Sequence, residues 1–118
     1  METMKKIKPL LPSLKEKKRY LAFEVLSKRM SFEDFSRAFW QRALQFSGEA
    51  GAAKAGYWLL SDTYKNNKGL IKVNHKHTDE LRAVLCTMDS INNQDTIVRS
   101  LGMSGIVNKA ANYLRGEI

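Results

Sequence analysis

The chain is poor in cysteine, proline and long apolar runs, and each shortage excludes something. One cysteine, Cys86, rules out an internal disulfide framework and suits a reducing compartment, so a cytoplasmic location is expected. Apolar runs reach only a few residues, against the ~20 that a membrane-spanning helix needs. The basic N-terminus is not followed by the apolar stretch of a secretory signal. Acid is also short: 12 Asp and Glu stand against 20 Lys and Arg, a net charge of +8. Such an excess points to a polyanionic partner rather than to a membrane span.

What is present fits one modest domain of 118 residues with 43% apolar content. The charge is concentrated at the start. Lys5, Lys6, Lys8, Lys15, Lys17, Lys18 and Arg19 face only Glu2 and Glu16 in residues 1–19. Pro9 and Pro12 disfavour a helix there. An extended basic arm over 1–19, suited to lie along phosphates, and a single domain over 20–118 are expected.

Leu21, Phe23 and Val25 alternate with Tyr20, Ala22, Glu24 and Leu26, which predicts a strand over 20–27. Ser31 is placed to cap a helix, with Phe32, Phe35, Phe39, Ala43 and Phe46 as its buried stripe and Gly48 as its end. The small-residue stretch GEAGAAKAG (48–56) suits a short close-packed turn; it lacks the GK[ST] ending of a phosphate loop. YWLLSDTY (57–64) and LIKVNH (70–75) read as strands joined by the KNNKG turn. Thr78 is expected to cap a helix buried through Leu81, Val84, Leu85 and Met88. SINNQD reads as a loop, TIVRSL (96–101) as the fourth strand, and GMSG as a break. A last helix over about 105–115, capped by Ser104, would bury Ile106, Val107, Ala110 and Leu114 and present Asn108, Lys109, Asn112 and Arg115.

This order predicts an α+β, ferredoxin-like βαββαβ fold similar to the RNA-recognition motif, with a four-stranded antiparallel sheet and an extra C-terminal helix. That motif stacks bases on aromatics of its two central strands. Here the third strand offers Leu70, Ile71 and Val73, and the first only Tyr20, so base stacking on the open sheet is not expected, and its outer face would instead be buried against another protein or the extra C-terminal helix.

Catalytic signals are sparse. His75 and His77 form an H-x-H without a specified third ligand, and read better as solvated residues at a helix start. Cys86 has no flanking base and reads as a small half-buried side chain. Asp62, Asp79 and Asp89 have no paired-carboxylate spacing, and Ser27–Ser31 is not a convincing acylphosphatase loop. No catalytic residue and no metal site in the protein are expected.

Three stretches carry a resemblance. LLPSLKEKKRYLAFEV (10–25), GEAGAAKAGYWL (48–59) and VRSLGMSGIV (98–107) resemble, in that order and spacing, archaeal ribonuclease P protein component 2 and its small eukaryotic relatives. The resemblance covers about Pro9 to Leu114. It implies a subunit of an endonuclease, a hydrolase, that removes the 5′ leader of precursor tRNA. It further implies that the RNA subunit catalyses with bound Mg²⁺ while the protein binds and stabilises that RNA. Partners would be the ribonuclease P RNA, precursor tRNA and the barrel-shaped protein component 3, the two proteins pairing as a heterotetramer. On this resemblance, Lys15, Lys17, Lys18 and Arg19 contact phosphates and Lys5, Lys6 and Lys8 extend the contact. Ser104, Gly105, Asn108, Lys109, Asn112 and Arg115 add contacts on the same side. Ile106 departs from the Thr common in the family after S-G. Competing readings are a generic basic RNA-binding or ribosome-associated protein of this fold, and a small ferredoxin-like enzyme or ligand sensor.

Overall fold

A computed structural model describes residues 17–116. Its elements are β1 (Lys18–Leu26), α1 (Phe32–Ala55), β2 (Trp58–Lys65), β3 (Lys68–Asn74), α2 (Thr78–Cys86), β4 (Ser90–Ile91), β5 (Gln94–Asp95), β6 (Ile97–Ser104) and α3 (Val107–Leu114), with a 3-10 turn over His75–His77. The four long strands form one antiparallel sheet in the order β2-β3-β1-β6, the ferredoxin-like arrangement. The two central strands are thus the first and third long strands, as the element order requires. No helix among the described residues is long and apolar enough to cross a membrane.

Alternation on β1 divides its side chains between two layers. Leu21, Phe23 and Val25 join the main core beneath α1 and α2. The Phe23 ring stacks on Phe35 with centroids 4.5 Å apart, and Phe39 meets Tyr57 edge-on at 5.3 Å. Leu81, Val84, Leu85 and Met88 close that layer, as their spacing predicts. Ala22 faces the other way and is buried with Leu70 and Ala110 under α3, where Tyr20, Leu60, Leu101, Ala111, Tyr113 and Leu114 pack around them. The C-terminal helix therefore covers the middle of the sheet face that an RNA-recognition motif leaves open.

Several expected boundaries shift. Ser31 does cap α1, accepting from the Asp34 amide at 3.1 Å. Gly48, at φ 74° and ψ 173°, breaks the helix, but the chain re-enters helical geometry as far as Ala55. Core residues of α1 stop at Ala43 and resume at Ala52, so Phe46, in the last turn before the break, is 49% exposed instead of buried. His77, not Thr78, stands at the N-cap of α2, because the 3-10 turn feeds straight into it. Cys86 is exposed instead of half-buried, lying at the end of α2 off its apolar stripe.

SINNQD is a small hairpin instead of a loop. Asn92 and Asn93 both take positive φ, as Asn66 and Asn67 do between β2 and β3. Two successive positive φ values are the demand of a two-residue hairpin turn, and asparagine meets it. GMSG does not break the chain: β6 runs through Gly102 to Ser104. In α3 only Ala110 is fully buried. Ile106 and Val107 are exposed, and the residues that α3 packs on the sheet begin at Ala110.

Candidate nucleic-acid interface

One end of the sheet gathers the basic side chains. β1 starts there at Lys18, paired with Asn74 at the end of β3. Asn74 is a buried amide that ties three segments together. Its Oδ1 accepts from the Lys18 ammonium, and its Nδ2 donates to the Lys54 carbonyl at 2.7 Å. The turn after α1 passes close beneath: Gly56 is left-handed, and a Cβ on it would lie 3.0 Å from the Asn74 amide. The His75 amide donates to the Lys17 carbonyl at 2.8 Å, fastening the chain just before β1. Lys17, Lys18, Lys54 and Lys76 are exposed at this end, with Arg19 and His75 half-buried among them. Among the described residues none of these lysines, nor Arg19, makes an ion pair. Their charge is available to a polyanion.

The structure brings some of the expected residues together and separates others. Ser104 pairs with Tyr20 across the β1–β6 ladder, and a Cβ on Gly105 would lie 3.3 Å from Arg19 Nη1. Ser104 and Gly105 therefore flank Arg19. Ser104 does not occupy the N-cap position of α3; Ile106 does, with its amide donating to Ser104 Oγ at 3.1 Å. Asn108 and Lys109 are exposed on the first turn. Asn112 is half-buried and accepts from the Arg115 guanidinium. Arg115 is at the far end of α3, lining a cleft of about 480 Å³ with Thr63 and Lys65 of β2, Asn66 of the turn and Lys68 of β3. The last helix thus spans two regions of the surface instead of one. Lys5, Lys6, Lys8 and Lys15 lie outside the described residues.

Residues missed in the sequence are Lys54, Lys72 and Lys76. Lys72 sits opposite Tyr20 on one side and Trp58 on the other. Its place follows from strand order and register, which a single strand's alternation does not carry. His75 and His77 diverge: His75 turns to the Lys17 carbonyl, while His77 Nδ1 lies 3.2 Å from Glu80. No cluster of three or more metal-ligating side chains forms among the described residues.

A separate polar cluster joins α1 to α2. Glu80 accepts from the Ser47 hydroxyl and pairs with His77. Burial alone would push the Glu80 carboxyl up, but the Ser47 and His77 hydrogen bonds, the His77 charge and the nearby Tyr57 hydroxyl outweigh it and hold the carboxyl below its usual range. Tyr57 is pushed well above the ordinary tyrosine range by burial first, then by the Glu80 carboxylate. Its hydroxyl is buried without a well-formed hydrogen bond. The Ser47–Glu80 hydrogen bond ties the two helices together.

Known proteins match this sequence along nearly the whole chain. The model of the Rpp14/Pop5 family matches residues 19–115. Ribonuclease P protein component 2 of Thermococcus kodakarensis is 35% identical over 105 residues, covering 88% of each chain. The protein of the same name from Thermococcus gammatolerans is 37% identical with the same coverage. A chain in the cryo-EM structure of yeast Ribonuclease MRP superposes with a TM-score of 0.52 at 13% identity, covering 86% of this chain and 88% of that one, which shows the shared fold. With its four-stranded sheet and basic strand end, this chain belongs to the Rpp14/Pop5 family.

Proposed function

We propose that this chain is a protein subunit of ribonuclease P, which binds and stabilises the RNA that removes the 5′ leader from precursor tRNA. The observation that carries the reading is the basic end of the sheet, Lys17 to Arg19 with Lys54 and Lys76, which makes no ion pair among the described residues, in a chain of this family. Phosphate contacts there are sequence-independent and position the RNA, whose own fold supplies the specificity. In this reading the RNA, with its bound Mg²⁺, performs the hydrolysis, and the protein lends no catalytic side chain. Neutralising phosphates lowers the Mg²⁺ needed to hold the catalytic fold. The working complex is cytoplasmic and contains component 3, with the two proteins paired as a heterotetramer. In this reading Lys5, Lys6, Lys8 and Lys15 add phosphate contacts, and Ser104, Gly105, Asn108 and Lys109 border the basic end.

The test is single-turnover cleavage of a precursor tRNA at limiting Mg²⁺ with the cognate RNA and component 3, with and without this chain. Cleavage at the mature 5′ end should rise only when the chain is present. An unchanged rate despite RNA binding would leave a generic RNA-binding protein of the same fold.

A further inference from the structure

Trp58, Lys72, Tyr20 and Ser104 form one row across the sheet's outer face, on β2, β3, β1 and β6 in turn. Neighbouring strands lie about 4.8 Å apart, so the first three residues span about 10 Å, the reach of one or two nucleotides. Trp58 is 62% exposed. Tyr20 is half-buried against the apolar patch under α3, so the row passes from a covered aromatic to a bare one. α3 packs on Ala22 and Leu70, leaving the indole beyond its cover. One pair further along the same face, Lys18 lies opposite Asn74. The row contains no carboxylate, and Glu24, on the same face of β1, is engaged by Arg99 at 2.8 Å.

A bare indole on an edge strand calls for an occupant. A partner protein's apolar side chain would suit the indole but would leave Lys72 and Lys18 desolvated beside it without a counter-charge. An unpaired nucleotide suits both, giving the ring a base and the ammonium groups a phosphate. We propose that Trp58 stacks an unpaired RNA base while Lys72 neutralises a phosphate beside it. This rests on the RNA-binding reading above and extends it from phosphate contact to base contact. The platform differs from that of the RNA-recognition motif: the ring stands on the edge strand β2, because the central strands are covered by α3.

The experiment uses the full chain and a single-stranded oligoribonucleotide, with an abasic oligonucleotide of equal length and charge as its control. Trp40→Phe leaves Trp58 as the only indole, since the chain has 2 Trp. Its fluorescence should be quenched by the base-bearing strand and not by the abasic one. In the otherwise unaltered chain, Trp58→Ala should weaken binding of the base-bearing strand about tenfold, and Trp58→Phe by less. The salt dependence of binding should stay unchanged in Trp58→Ala and fall by about one ion in Lys72→Gln. Equal quenching by both strands, or undiminished affinity in Trp58→Ala, would overturn the proposal while leaving the RNA-binding reading standing. Unchanged RNA affinity with lost binding to component 3 would overturn it and assign the indole to a protein contact. Absence of any oligonucleotide binding would overturn both readings together.

Discussion

The Tyr113 ring lies against Gly102 so closely that a Cβ at position 102 would stand 2.5 Å from Cδ1 and Cε1. Gly102 sits where the β1–β6 register shifts, opposite Ala22. A bare backbone there lets α3 rest on the sheet and bury Ala22, Leu70 and Ala110. Gly102→Ala should therefore displace the Tyr113 ring and cost about 1–3 kcal/mol of stability. Urea unfolding measures the loss. Combining it with Tyr113→Ala should recover part of it, because the clash then has no ring to meet.

That contact also marks how far the sequence could be read. Leu21, Phe23 and Val25 alternate, Phe35 and Phe39 repeat at helical spacing, and Ser31 caps; all are local patterns, and all reappear in the structure. Gly102 reads as a chain break, since nothing near it in sequence shows that Tyr113 will land on it. The same holds for the interface. Lys17, Lys18 and Arg19 are visible as a charge run, whereas Lys54, Lys72 and Lys76 join them only through Asn74 and the strand register. Trp58 reads as one more strand residue until β2 proves to be an edge.

Asn67 gives a sharper case of a turn residue with a second duty. Its φ of 63° serves the hairpin, while its side chain fastens the β1–α1 connection. Oδ1 accepts from the Met30 amide at 2.8 Å, and Nδ2 lies within 3.3 Å of the Val25, Ser27 and Lys28 carbonyls. Asn67→Gly keeps the turn geometry and removes only those bonds. A loss of about 1–3 kcal/mol is expected in urea unfolding. Asn66, whose side chain makes no such bonds among the described residues, serves as the control: Asn66→Gly should change stability by less than about 1 kcal/mol.

RNA affinity should respond to charge at the start of β1 in a countable way. Each phosphate neutralised contributes about 0.9 to the slope of log affinity against log salt for duplex DNA, and about 0.7 for single strands. Replacing Lys15, Lys17, Lys18 and Arg19 with Gln should lower that slope by about 3–4. Lys54→Gln and Lys76→Gln should each lower it by less than about 1. Titrations at several salt concentrations supply the slopes, and an unchanged slope in the fourfold variant would remove this end of the sheet from the interface.

The Ser47–Glu80–His77 cluster predicts an acid-side loss of stability. Glu80 is held below its ordinary value of 4.5 in the folded chain, so the folded state favours the carboxylate. A depressed carboxyl contributes fully above the unfolded value and loses its contribution as pH falls through the folded one. Glu80→Gln should thus be less stable than the unaltered chain at pH 7, by about 1 kcal/mol, and the gap should narrow steadily below pH 4.5. Tyr57→Phe acts in the opposite sense. It removes a buried hydroxyl that completes no good hydrogen bond, so stability at pH 7 should hold or rise by up to about 1 kcal/mol. Above pH 10 the gap should widen in favour of Phe, because a tyrosine whose ionisation is pushed up in the fold loses stability as pH rises past its unfolded value. Urea midpoints across the pH range test both variants, and a pH-independent difference for Glu80→Gln would mean that the carboxylate's charge is not what joins the two helices.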